Sequence, residues 1–96
     1  MSKSFLESAK RTLKIESEGI NRLLENLDEN FNDVCEALLN CKGRIVTLGV
    51  GKSGHIANKI SATLSSTGSS SFFVNAAEAL HGDLGSITSE DIVIIF

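Results

Sequence analysis

The sequence predicts an α/β fold of three layers, a parallel sheet with helices packed on it, preceded by two N-terminal helices. Three observations predict this. Short runs of apolar residues rich in β-branched and aromatic types, Arg44-Ile45-Val46-Thr47-Leu48, Ser71-Phe72-Phe73-Val74 and Asp91-Ile92-Val93-Ile94-Ile95-Phe96, read as strands. Between the first two, apolar residues recur every three or four positions, the spacing of a helix. Unbroken apolar strands separated by helix imply a parallel sheet covered on both faces.

Along the chain, Leu6, Ala9, Leu13, Ile20, Leu24 and Leu27 form an amphipathic stripe, broken only where Glu16 and Ser17 fall on it. Asp28-Glu29-Asn30 interrupts this first helix. Phe31, Val34, Cys35, Leu38 and Leu39 resume helical spacing until Asn40 to Gly43 closes the segment, with Gly43 suited to a C-terminal cap. Residues 1–43 thus read as a helical leader and 44–96 as the sheet-forming part. From Ser53 a third helix is expected to pack through Ile56, Ala57, Ile60 and Leu64 as far as Thr67-Gly68, with Ile45 and Val46 buried at the centre of the sheet. Ala76 to Leu80 supplies one more helical turn before the last strand. The leading stripe is longer than so small a sheet needs, so it is expected to pack on another subunit.

Ninety-six residues, 42% of them hydrophobic, make one small globular unit. The formal charge of -3 is concentrated at the front: residues 1–40 carry five Lys/Arg against eight Asp/Glu, and 41–96 carry four of each. No basic stripe suited to nucleic acid is present, and no run of apolar residues is long enough to span a membrane or form a signal-peptide core. A cytoplasmic chain is expected. Cys35 and Cys41 have neither C-x-x-C spacing nor a nearby metal-spaced histidine and read as reduced thiols.

Chemistry concentrates in Leu48 to Ile60, LGVGKSGHIANKI. From Gly49 it spells G-x-G-x-x-G, the dinucleotide fingerprint; from Gly51 it spells the G-K-S that ends a nucleoside-triphosphate loop. The triphosphate reading fails because the required earlier glycine is Val46, inside a strand. The dinucleotide reading lacks its acid, since Val74 is followed by Asn75. What survives is narrower: backbone N–H groups at a helix start beside the ammonium of Lys52 favour an anionic or oxyanion-bearing ligand. Gly68-Ser69, Asn75 and His81 also follow or flank the first two strands, and ligands of open α/β sheets bind where strands end. Their hydroxyl, amide and imidazole suit a polyhydroxylated ligand. Each has a plainer role available: Ser69 can cap a turn, Asn75 can brace its own backbone, and His81 can be an ordinary loop histidine.

The stretch GVGKSGHIANKISATLSSTGSSSFFVNAAEALHGDLGSIT closely resembles the sugar isomerase (SIS) domain of bacterial D-arabinose-5-phosphate isomerases, which carry G-x-G-K-S-G-H, S-T-G, S-F-F-V and H-G-D-L-G in this order. With CKGRIVTLG before it, the match runs from Cys41 to about Asp91. The resemblance implies a flavodoxin-like or Rossmann-like SIS fold. It also implies interconversion of arabinose 5-phosphate and ribulose 5-phosphate, feeding 3-deoxy-D-manno-octulosonate synthesis for lipopolysaccharide or capsule. It gives Lys52 a catalytic role and makes Gly68, Ser69 and His81 substrate contacts. Asn75, a substrate contact by position, departs from members whose histidine there can bind an inhibitory zinc ion; no metal or cofactor is expected. Glu78 is an acid or base by type, with no role from the resemblance.

Members of the family continue into an S-x-S-G phosphate loop, further acid–base residues and, usually, paired CBS domains. The chain is therefore expected to be the first half of an SIS domain, inactive alone, within a homo-oligomer. The alternative reading is a non-enzymatic sugar-phosphate-sensing regulator, disfavoured by an acidic leader with no basic recognition helix. A nicotinamide-dependent oxidoreductase is disfavoured by Asn75.

Overall fold

The computed structural model describes residues 2–96, which divide into two compact units, one up to Val34 and one from Cys35 to Phe96. The first holds α1 (Ser2–Asn26) and the start of α2 (Glu29–Leu39). Glu16 and Ser17 do not interrupt α1. Asp28-Glu29-Asn30 is less of a break than the sequence suggests. The Asp28 carboxylate accepts the Asn30 N–H at 2.9 Å and its carbonyl accepts the Phe31 N–H, so Asp28 caps α2 rather than extending a loop.

In the second unit, β1 (Ile45–Gly49), α3 (Gly51–Ser66), β2 (Ser71–Asn75) and β3 (Ile92–Ile95) follow the end of α2. The strand order is β2-β1-β3 and both pairings are parallel, with Ile45 opposite Ser71 and Ile92. The connection from β2 to β3 is built of two 3-10 turns, Ala79–His81 and Asp83–Ser86, in place of the single helical turn expected at Ala76 to Leu80.

Parallel register puts Val46, Val74 and Phe72 on one face of the sheet. There they pack with Leu48, Ala79 and Ile87, so the 3-10 segment forms that layer. On the other face Thr47, fully buried, donates its hydroxyl to the Ala57 carbonyl at 2.8 Å and pins α3 to the middle of β1. Beside it, Ser71 Oγ lies 2.6 Å from the Ile45 carbonyl and 2.9 Å from Ser61 Oγ. It donates to one and accepts from the other.

The buried face of α3 is not the one its large apolar residues predicted. Ile45 and Val46 are buried as expected, but on α3 the buried residues are Gly54, Ala57 and Ser61, while Ile56 is 54% and Ile60 36% exposed. Leu64 is half-buried at the border of the two faces. The reason is proximity. Gly49 and Gly54 face each other so closely that a Cβ on Gly49 would lie 3.0 Å from the Ser53 carbonyl oxygen and 3.1 Å from Gly54 Cα. Only small side chains fit between elements held that near, and the branched residues turn outward.

Gly43 also has a role other than the expected one. Its φ is not positive, so it is no left-handed cap. Instead a Cβ there would strike the Asp91 carboxylate and sit 2.6 Å from the Glu90 carbonyl oxygen. The left-handed cap belongs to α3. Gly68, at φ +105, lets its own N–H reach the Ser65 carbonyl and the Ser69 N–H reach that of Leu64 at 2.8 Å, closing the last turn.

Candidate functional site

Strand β1 ends at Gly49 and α3 begins at Gly51, whose φ of +60 makes the sharp turn that only a glycine takes easily. The three glycines of G-x-G-x-x-G thus have separate duties: Gly49 and Gly54 let strand and helix approach, and Gly51 reverses the chain. Val50 precedes the helix in an extended conformation without a side-chain cap, and no acid lies in the first turn. Of the first N–H groups, that of Gly54 is taken by the Val50 carbonyl. Those before it point out of an uncapped helix start, where the macrodipole favours negative charge. Lys52 is exposed in this same turn, and its ammonium adds a full positive charge.

Asn75 ends β2 directly opposite Gly49 and therefore lies at the same, carboxyl, edge of the sheet. Its Oδ1 accepts the Ala77 N–H at 2.9 Å, the backbone-bracing role, which leaves the amide NH2 as a donor. With Gly51, Gly54, Phe73 and two residues sequence reasoning passed over, His55 and Asn58, it lines a groove of about 260 Å3. The spacing held the signal: His55 and Asn58 are one turn apart on α3, on the side that carries Gly51 and Gly54. His81 closes the first 3-10 turn after β2 and is exposed, followed by Gly82 at φ +118. Glu78 is exposed at the start of that turn.

Gly68 and Ser69 are not brought to this edge. They precede β2, and in a parallel sheet the residues before a strand and those after it lie at opposite edges. Ser70 accepts the Ile45 N–H at the amino edge, and Gly68 and Ser69 line a separate cavity of about 310 Å3 there with Cys41, Gly43 and Ile45. Grouping them with Lys52 overlooked that α3 carries the chain from one edge back to the other.

The amino edge is otherwise stitched shut. Asp91 Oδ1 accepts the Arg44 N–H and Oδ2 the Thr88 N–H, each at 2.7 Å. These donors, Arg44 first, hold the carboxyl below its ordinary pKa. The Arg44 guanidinium lies 4.2 Å from the centre of the Phe72 ring and donates to the Ser86 carbonyl. Both cysteines are free thiols, the described residues hold no cluster of metal-ligating side chains, and no described helix is long and apolar enough to cross a membrane.

Residues 38–96 match the SIS domain family. This chain belongs to the SIS domain family. Over 90 residues the chain is 51% identical to arabinose 5-phosphate isomerase KdsD of Pseudomonas aeruginosa, covering 94% of this chain and 28% of that protein. It is 48% identical over 94 residues to arabinose 5-phosphate isomerase GutQ of Escherichia coli K12, covering 98% of this chain and 29% of that one. The SIS architecture superposes on E. coli CFT073 c3406 in complex with arabinose 5-phosphate, with a TM-score of 0.89 at 37% identity, over 99% of this chain and 50% of the other. The chain thus spans under a third of the length of these curated relatives and half of the solved SIS protein.

Proposed function

We propose that these residues serve an aldose–ketose isomerase that interconverts D-arabinose 5-phosphate and D-ribulose 5-phosphate. The observation that carries the reading is Lys52, exposed in the first turn of α3 beside N–H groups that no side chain caps, in a chain half identical to arabinose 5-phosphate isomerases. In the reaction a base removes the proton on C2 of the aldose. The C–H electron pair becomes the C1–C2 double bond of an enediolate, and negative charge collects on O1. Return of a proton to C1, and transfer of the O2 proton to O1, gives the ketose. Oxidation state is redistributed within one molecule, so no cofactor is required.

Lys52 and the helix start supply positive potential where the enediolate charge develops. The free amide NH2 of Asn75 donates to a sugar hydroxyl, and the imidazole of His81 offers a further polar contact. Gly68 and Ser69, at the other edge, terminate α3 rather than join this group. The proposed setting is a cytoplasmic homo-oligomer supplying arabinose 5-phosphate for 3-deoxy-D-manno-octulosonate synthesis. The 96 residues alone are expected to be inactive, because the phosphate loop and remaining acid–base groups implied by the resemblance are not among them, and phosphate binding energy helps position the reacting carbons.

The test is Lys52→Ala in the longest natural form of the protein, assayed with arabinose 5-phosphate. Turnover should fall by roughly 10²-fold or more with little change in thermal stability. Near-normal turnover would reject the assignment.

A further inference from the structure

His55 and Asn58 do little for the fold. Both are exposed on α3, and histidine and asparagine are only middling helix formers. Their positions are nevertheless specific. Three-residue steps lead from Lys52 to His55 to Asn58, each about 4.5 Å along the helix axis and about 60° around it. That rotation runs from the solvent side, where Lys52 stands, toward the side on which Gly54 is buried. His55 and Asn58 therefore overhang the cleft between α3 and β2.

Phe73 lies beneath them. Parallel register sets it opposite Thr47, whose hydroxyl holds α3, so its ring is on the helix side of the sheet. A Cβ on Gly54 would stand 3.5 Å from the tip of that ring. The groove thus has an apolar floor and a polar rim.

The rim is polar without being acidic or strongly basic, for no Lys, Arg, Asp or Glu lines the groove. Asn75 has its carbonyl oxygen committed to the Ala77 N–H and offers donors only. The Asn58 amide offers both a donor and an acceptor, and so does a neutral imidazole at His55. A hydroxyl also both donates and accepts, whereas an ionised phosphate only accepts and is best met by cations. Adjacent hydroxyls are the better match. In the open-chain aldose O1 and O2 belong at Lys52 and the helix start, where the enediolate charge develops, and C5 carries the phosphate. The hydroxyls left over are those on C3 and C4.

We propose that this groove is the subsite for the C3 and C4 hydroxyls of the sugar phosphate, with His55 and Asn58 as specificity-determining contacts. The inference rests on the isomerase reading of Lys52 and adds a direction to it. The reacting end lies at the helix start, and the carbon chain runs along α3 toward Asn58.

The test compares kcat/KM for arabinose 5-phosphate with that for its 3-deoxy and 4-deoxy analogues, in the longest natural form of the protein and in its His55→Ala, Asn58→Ala double variant. In wild type each missing hydroxyl should lower kcat/KM by roughly tenfold, the worth of a hydrogen bond in a built site. In the double variant each penalty should shrink to about twofold or less, while kcat/KM for arabinose 5-phosphate itself falls. Each penalty is a ratio within one protein, so a loss of folded material cancels from it. Penalties as large in the double variant as in wild type would overturn the proposal, and so would a double variant with wild-type kcat/KM. Lys52→Ala keeps the two readings apart. If Lys52→Ala abolishes turnover while the penalties are unmoved by the double variant, the groove assignment alone falls; if Lys52→Ala turns over normally, the isomerase role of Lys52 falls first.

Discussion

At the amino edge of the sheet the polar groups are occupied with one another, whereas at the carboxyl edge they are turned out to solvent. Asp91 spends both carboxylate oxygens on backbone N–H groups, Arg44 lies on Phe72, and Gly43 has no room for a side chain. Lys52, His55, Asn58 and His81, beyond the other ends of the same strands, are all exposed. The carboxyl edge is nevertheless not loose, because Gly49 and Gly54 are in backbone contact beneath the exposed side chains. The comparison therefore separates two kinds of order. One edge is fixed through its side chains. The other is fixed through its backbone, and Lys52, His55, Asn58 and His81 are left exposed.

The largest stability effect should come from the backbone contact. Gly49→Ala places a Cβ about 3 Å from backbone atoms of Ser53 and Gly54, which cannot move aside as a side chain tip would. A loss of roughly 1–3 kcal/mol is expected, measurable by urea denaturation. An alanine variant as stable as wild type would show that the strand–helix approach is not tight.

A smaller effect, with a pH signature, belongs to Asp91→Asn at the amino edge. Since hydrogen bonds from Arg44 and Thr88 lower the folded pKa below the unfolded one, the ionised form stabilises the fold. That stabilisation is complete above the ordinary carboxylate pKa of about 4 and is lost as pH falls through the lowered folded value. Thermal melts should show the Asp91→Asn variant less stable than wild type at neutral pH, with the gap closing in acid. A gap of equal size at pH 3 and pH 7 would break the assignment.

The smallest effect on stability should come from the exposed side chains of the carboxyl edge. His55→Ala and Asn58→Ala are each expected to change stability by less than about 0.5 kcal/mol. Their effect should instead appear as weakened sugar-phosphate binding in calorimetry. Substantial unfolding by either change would erase the contrast between the edges.

Much of this was legible in the residues themselves. Three apolar runs and one helical period define a parallel sheet whose central strand is β1. The glycine spacing marks where that strand turns into α3. Less legible was which side of α3 is buried. Hydrophobicity alone selects Ile56 and Ile60, but the decision is made by Gly49, whose missing side chain draws the helix so near that Ala57 and Ser61 must face the sheet. Local sequence also does not report which edge a residue reaches, and so Gly68 and Ser69 read as neighbours of Lys52 when a whole helix separates them. Asn75 could be read either way, and in fact it braces its own turn while keeping a donor free.

The position of β1 sets an order of events. It is the first strand to be synthesised and the middle one of the sheet, so neither of its sides can be paired when it leaves the ribosome. Arg44 and Asp91 are separated by 47 residues, which at roughly 5–20 residues per second amounts to several seconds of synthesis. Through that interval only the α3–β2 side of β1 can be covered, and the side that awaits β3 stays open. A nascent chain is thus most exposed to wrong partners along that one line of backbone, until Asp91 emerges and locks β3 into register.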